Sequence, residues 1–303
     1  MNTMMIQVNQ LNKLYDKKQA INNLSFQIEE NTITGLIGRN GAGKTTLMRI
    51  LAGQLEKTNG NVTICGGYPL DNLTVLSQTV YMYHNMGYGR HLTLNTILLN
   101  YKELFHSFDY EFAIKMMRYF DLDKKLKYTA LSQGMGSNFN FICALACRCA
   151  ITILDEPVLG MDVTVRKAAY EILLKDYTEY PRTFLISSHL LNELEGILSD
   201  ILLIDSGNLI FHDSIDIIRQ SAYRLDGEVS VLNDFCNNKK VISRHFSPMQ
   251  NFVIIHEPLN EEVRKNAYAR GLEIFAVSPE DLCIYLTKQD KEAELQCLWT
   301  KTN

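Results

Sequence analysis

Apolar residues along the chain change their spacing several times, and each change predicts an element. The run SFQIEENTITGLIG, residues 25–38, reads as two strands about a turn at Glu30-Asn31, the second running into a glycine-rich loop. In KTTLMRILAGQL, residues 44–55, Leu47, Ile50 and Leu51 recur at helical spacing. Residues 33–55 are therefore predicted as strand, glycine loop and helix. YEFAIKMMRYF, residues 110–120, repeats Phe112, Met116 and Phe120 with Lys115 and Arg118 between them, a second helix. AITILDEP (150–157) and RTFLISSHL (182–190) are short apolar runs that read as buried strands. DILLIDSGNLIF (200–211) reads as a hairpin about Ser206-Gly207-Asn208. Strands alternating with helices predict an α/β core with a mostly parallel sheet.

The pattern changes near residue 221. Beyond it we expect a strand at 223–229, a helix near 230–236, strands at 240–246 and 251–256, a helix at 260–270, a strand at 272–277 and a helix from 280. That β-α-β-β-α-β order predicts a small C-terminal α+β appendage of ferredoxin-like form. Only Gly227 and Gly271 of the 17 glycines follow residue 220, so tight turns concentrate in the first part. The expected organisation is a domain over 1–220 and an accessory or regulatory domain over 221–303.

Composition narrows the class. The chain of 303 residues is 46% hydrophobic and 21% charged, with a net charge of −4, ordinary for a folded domain or two. That charge supplies no electrostatic footprint for nucleic acid, and none is expected as a partner. The longest apolar run, FICALACRCAITIL, is too short for a membrane span and is interrupted by Arg148. The N-terminal stretch does not read as a signal peptide. Seven scattered cysteines, with no C-x-x-C pair, fit a reducing compartment. Cys143 and Cys147 stand one helical turn apart and read as small buried hydrophobes, with a redox pair as the alternative.

GRNGAGKTT, residues 38–46, carries the sharpest chemistry. It fits G-x-x-x-x-G-K-[ST] between a predicted strand and a predicted helix. Gly41 and Gly43 let the backbone wrap phosphate oxygens, and the N–H groups of Gly38, Arg39, Asn40, Gly41, Ala42 and Gly43 can face their charge. Lys44 reaches the β- and γ-phosphates, Thr45 offers a hydroxyl to Mg²⁺, and Thr46 adds a donor near the α-phosphate. In ITILDE, residues 151–156, Asp155 at a strand end can hold Mg²⁺ through water, and Glu156 can polarise an attacking water.

With these motifs in order, the chain over roughly residues 4–211 resembles the ATP-binding subunit of ABC (ATP-binding cassette) transporters. The subgroup it is most similar to is the Gram-positive exporter cassettes that pair with ABC-2-type membrane subunits. SPEDLCIYLTK, 278–288, is similar to the closing segment of many such subunits. The resemblance implies a P-loop NTPase cassette with an antiparallel subdomain and a helical subdomain, the latter over about 84–149. It implies that Tyr15 stacks on adenine and that LSQGM (131–135) is the signature. It gives PVLGMD (157–162) a D-loop role with Asp162 as its acid, and makes His189 of SSH a γ-phosphate switch. Blander readings stand beside these: Tyr15 as a surface aromatic, Asp162 as a helix N-cap and His189 as a buried histidine. Tyr81, Tyr83, Met86 and Tyr88 read either as core or as a groove for a membrane subunit's helix.

Two departures from the family pattern matter. The glutamine of its Q-loop falls on His84, which could accept a hydrogen bond near the metal only as a neutral ring. After the signature, basic and amide residues are replaced by Gly136, Ser137 and Asn138. What the signature needs is narrower: the Ser132 hydroxyl, close backbone approach at Gly134, and a helix N-terminus aimed at the facing subunit's γ-phosphate. All three are present, so LSQGM reads as working.

The resemblance thus implies a transport-coupled ATPase using ATP and Mg²⁺. It would act as a dimer with an identical or different second cassette, and would serve separate transmembrane permease subunits. Its expected place is cytoplasmic, peripheral on the cytoplasmic face of the cell membrane. The expected cargo is a peptide or a small amphipathic or toxic compound, moved outward. Two alternatives stay open: a degenerate or regulatory half of a heterodimeric pair, and a cassette ATPase acting on DNA or ribosomes.

Overall fold

The computed structural model describes residues 4–287. Lys288, the last residue of SPEDLCIYLTK, and Cys297, one of the seven cysteines, lie outside the described residues. The chain divides into two compact units at Ile215/Asp216.

The first unit runs β1 (Met4–Tyr15), β2 (Lys18–Glu29), β3 (Ile33–Ile37), α1 (Lys44–Leu51), β4 (Asn59–Ile64), α2 (Leu73–Leu76) and β5 (Thr79–Tyr83). It continues with α3 (Leu94–Leu104), α4 (Tyr110–Tyr119), α5 (Gln133–Ala146), β6 (Ile151–Asp155), α6 (Val163–Glu179), β7 (Thr183–Ser187), α7 (Leu191–Leu194), β8 (Asp200–Asp205) and β9 (Asn208–Ser214). β3, β6 and β7 are buried at every residue, which is why they read as continuous apolar runs rather than alternating ones. They sit inside a six-stranded sheet of order β5-β6-β7-β3-β8-β9. All pairings in it are parallel except β8 with β9, the predicted hairpin.

A second sheet, antiparallel and of order β2-β1-β4, supplies the other layer. One core fills the space between the layers: Ile6, Val8 and Ile28 from the small sheet, Leu47 and Leu51 from α1, Ile153 and Leu185 from the large sheet. α1 stops at Leu51 rather than at residue 55, because Gly53 takes a left-handed φ of 66°.

Between β5 and β6 the chain is helical. Thr93 caps α3, Asp109 caps α4 and Ser132 caps α5, each through a side-chain oxygen on a free amide of the first turn. Tyr88 packs edge-on to Tyr128 and hydrogen-bonds Tyr101 at 3.0 Å, so it belongs to a core cluster. Cys143 and Cys147 are buried free thiols. The end of this segment is fastened by charge. Buried Asp176 of α6 accepts from Arg148 and from Arg182, both at 2.6 Å, while the Arg148 guanidinium lies 3.4 Å from the Tyr180 ring centre.

The second unit takes in α8 (Ile215–Gln220) from Asp216 onward and continues with β10 (Tyr223–Asp226), α9 (Val229–Phe235), β11 (Val241–Phe246), β12 (Asn251–Ile255), α10 (Glu261–Ala269), β13 (Glu273–Ala276) and α11 (Pro279–Thr287). Its sheet has order β11-β12-β10-β13 and is antiparallel throughout. The first and third strands of a β-α-β-β-α-β chain lie at the centre, the expected ferredoxin-like arrangement. β10 ends at Asp226, short of the expected 229, because Gly227 and Glu228 turn the chain into α9. Tyr223, Leu225, Leu232, Val253, Ile255 and Ala267 form this unit's own core.

Candidate functional site

Parallel neighbours β6, β7 and β3 bring their C-terminal ends to one edge of the sheet, and the candidate chemistry gathers there. The loop after β3 curls back on itself before α1. Gly43 takes φ 107°, and a Cβ there would stand 2.6 Å from the Ala20 carbonyl oxygen, so the turn requires glycine. Lys44 Nζ donates to the carbonyls of Gly38 at 2.6 Å and Arg39 at 3.3 Å. Burial lowers the Lys44 pKa, and the nearby charges of Glu156 and Asp155 partly oppose that shift.

A cavity of about 320 Å³ opens beside the loop. Tyr15 stands at its wall with its ring half exposed, Lys44 and Thr45 line it from α1, and Asp155 and Glu156 line it from β6. Arg39, Asn40, Gly41, Gly43 and Thr46 border it as well. Lys18 and Ala20 of β2 share this wall, and nothing in their sequence context singled them out.

Buried Asp155 is held by three hydroxyls. Thr45 Oγ1 donates to Oδ2 at 2.7 Å, Ser187 Oγ donates to Oδ1 at 2.6 Å, and the Tyr81 hydroxyl donates to Oδ2 at 3.3 Å. Burial, then the Asp155 charge, pushes the Tyr81 pKa up, so the phenol stays a donor. Glu156 takes a left-handed φ of 51°, a strained conformation for a non-glycine residue. Its amide donates to Ser187 Oγ at 3.0 Å, and its Oε2 lies 2.7 Å from His189 Nδ1. The turn thus aims the carboxylate away from the strand and toward the cavity and His189. Ser187 and Tyr81 were not among the predicted site residues. Each sits on a strand flanking β6, and only the sheet order reveals that.

The remaining predicted residues lie off the cavity wall. Ser132 is exposed and caps α5, accepting from the Met135 amide at 3.3 Å. Gly134 lies against the turn after β6: a Cβ there would stand 2.5 Å from the Gly160 carbonyl oxygen. Asp162 caps α6, accepting from the Val165 amide at 2.9 Å. The His84 ring meets α5 at Ser137 and Gln133. One chain therefore carries a phosphate-type cavity on one edge and an exposed, serine-capped helix start elsewhere.

Comparison with known proteins identifies the family and the fold. The family model described as "ABC transporter" matches residues 21–159. The chain is 31% identical over 224 residues to an uncharacterized ABC transporter ATP-binding protein of Bacillus subtilis, YcbN, covering 72% of each. It is 29% identical to the uncharacterized ABC transporter ATP-binding protein MJ1023 of Methanocaldococcus jannaschii, over 88% of this chain and 96% of that one. Among solved structures, a dimeric ATP-binding cassette in a post-hydrolysis state bound to ADP and Pi matches with TM-score 0.62 at 19% identity. That match covers 70% of this chain and 99% of that one, and shows the fold.

Proposed function

Because the chain belongs to the ATP-binding proteins of the ABC transporter family, ATPases that dimerise and work with transmembrane subunits, we propose that two copies of it close on ATP and drive export. The observation that carries this reading is the Asp155 cluster. Thr45, Ser187 and Tyr81 fix one buried carboxylate beside Lys44 and leave the neighbouring Glu156 facing the cavity.

The roles follow from position. Tyr15 offers a half-exposed face to adenine. The amides of residues 38–43 and the start of α1 surround the phosphates, with Lys44 on the β- and γ-groups and Thr46 near the α-phosphate. Thr45 and Asp155 present hard oxygens 2.7 Å apart, a pair that would hold Mg²⁺. The metal would neutralise charge as the γ-phosphoryl departs. Glu156 orients the water, and His189, bonded to that carboxylate, stands by to follow the γ-phosphate.

Ser132, Gly134 and the start of α5 complete the site of the facing copy, with Asp162 beside them. Since one chain holds both halves, two copies complete two sites. The export direction and a peptide or small amphipathic cargo follow the resemblance to exporter cassettes. Among the described residues no helix is long and apolar enough to cross a membrane. In this reading the cassette is peripheral on the cytoplasmic face of the membrane, and separate transmembrane permease subunits carry the cargo across it. Residues 1–220 form the cassette, with a helical part over about 84–149, and residues 221–303 an accessory unit. Mg-ATP hydrolysis by the purified chain tests the reading. Turnover abolished by Glu156→Gln supports it, and turnover indifferent to that change refutes it.

A further inference from the structure

The two departures from the family pattern, at His84 and at residues 136–138, meet in the fold. His84 Nδ1 lies 3.3 Å from Ser137 Oγ, across 53 residues of chain. The Ser137 hydroxyl donates its single proton to the Leu159 carbonyl at 2.6 Å. Its oxygen is therefore left to accept, and the ring nitrogen facing it must be the donor. The proton of a neutral ring then sits on Nδ1, and Nε2 is an acceptor. Gln133 Nε2 lies 3.2 Å from that second nitrogen and supplies the donor.

The backbone of the same segment is also held. Asn140 Nδ2 stands 3.2 Å from the carbonyl oxygens of both Tyr83 and His84. Gln133, Ser137 and Asn140 recur at i, i+4 and i+7, so a single stripe of α5 makes all these contacts. The start of that stripe also presses on the turn after Glu156. A Cβ on Gly160 would stand 2.8 Å from Gln133 Cγ, and one on Gly134 would stand 2.5 Å from the Gly160 oxygen. One helix face thus gathers the segment after β5 and the turn after β6, and that helix begins at Ser132.

We propose that His84 is a positioning residue: as the Nδ1–H tautomer it holds the Ser132 end of α5, through Ser137 and Gln133, in register with the turn between Glu156 and Asp162. It does this without touching nucleotide. The proposal rests on the reading of the site as a dimeric ATPase. Its consequence is that Ser137 compensates for His84, so the two replacements work only together. A displacement of about 1 Å at a group that must meet a reacting phosphate can cost on the order of a hundredfold in rate. Loosening this bridge should therefore lower turnover at least tenfold while ATP still binds at Lys44.

Two measurements on the full chain decide it. Nitrogen-15 NMR of the imidazoles, with His84 assigned by its loss in His84→Asn, should show an Nδ1–H ring that changes in Ser137→Ala. An Nε2–H ring indifferent to Ser137→Ala overturns the proposal. The second is a comparison of ATP affinity with kcat. The amide of His84→Asn reaches where Nδ1 was and should retain turnover, whereas His84→Gln reaches where Nε2 was and should lose it. Both should bind Mg-ATP within about twofold of the unaltered protein. The pair His84→Ala/Ser137→Ala should be no slower than the slower single variant. Full turnover in His84→Gln, or multiplicative losses with weakened Mg-ATP binding in His84→Ala, would mean that the ring touches the nucleotide or its metal. Absence of Mg-ATP binding by the unaltered protein would instead sink the underlying ATPase reading, a result distinct from any tautomer spectrum.

Discussion

Ser187 Oγ lies 2.6 Å from Asp155 Oδ1, joining the last residues of two adjacent parallel strands. The serine has no proton left for another acceptor, and its oxygen takes the Glu156 amide. Both acids at the end of β6 are thus steadied by one hydroxyl. Ser187→Ala leaves a buried carboxylate one donor short and the half-buried Glu156 amide without its acceptor. We expect a loss of about 1.5–3 kcal/mol in stability, the range for hydrogen bonds to charged groups. We also expect a larger fall in kcat than in ATP affinity. Chemical denaturation and steady-state kinetics on the same variant check this, and an unchanged midpoint with unchanged kcat contradicts it.

Asp176 carries two arginines in a buried setting. Its removal leaves buried Arg182 without its carboxylate and Arg148 with Asp109 at 3.6 Å, and truncating one member of such a group costs about 3–5 kcal/mol. Asp176→Ala should unfold at much lower denaturant than the unaltered chain, yet the residue touches no part of the cavity. Any protein that remains folded should bind ATP normally. A stability loss under about 1 kcal/mol would show that the cluster behaves as a surface pair does.

With Lys44 on the phosphates, as proposed, that residue should set the alkaline limit of nucleotide binding. Burial holds its pKa below the ordinary 10.5, against the pull of Glu156 and Asp155. Between the lowered folded value and 10.5 the unfolded chain binds more protons, so this residue's burial costs stability below that window and the cost is relieved as pH rises through it. Phosphate demands the ammonium form. Affinity for ATP should therefore be greatest below the lowered pKa and should weaken as pH rises past it, beginning before 10.5. Titration of ATP affinity against pH reads the onset directly. Affinity that stays flat through that window argues against Lys44 on the phosphates.

Tyr15 supplies a flat face rather than a hydrogen bond in this account. Base stacking on an aromatic ring is worth about 1–3 kcal/mol. Tyr15→Ala should weaken ATP binding roughly tenfold, Tyr15→Phe should leave it nearly unchanged, and Tyr15→Trp should preserve or tighten it. Equal losses in Ala and Phe variants would point to the hydroxyl instead.

The sequence already displayed what depends on local order. The phosphate loop is contiguous, its flanking strand and helix carry their own periodicities, and the β-α-β-β-α-β run after residue 221 needed only the change of spacing to be read. Contacts that depend on sheet order were hidden. Tyr81, Asp155 and Ser187 come from β5, β6 and β7, which neighbour one another in the sheet although 74 and 32 residues separate the first and last from Asp155. His84 and Ser137 were each visible as departures, but their pairing depends on which face α5 turns toward β5. Element ends were also hard to place. α1 stops where Gly53 goes left-handed, although the apolar spacing carries on to Leu55.

The central claim is that one chain carries both halves of a site that only two chains complete. Glu156→Gln removes the carboxylate proposed to orient water while leaving the Lys44 loop, Thr45 and Asp155 intact, so ATP should stay bound. Light scattering on a sizing column, run with and without Mg-ATP, measures the result most directly. The account predicts a monomer alone, a dimer with Mg-ATP, and a monomer again when Ser132→Trp blocks the helix start. A variant that binds Mg-ATP and elutes as a monomer throughout would contradict it.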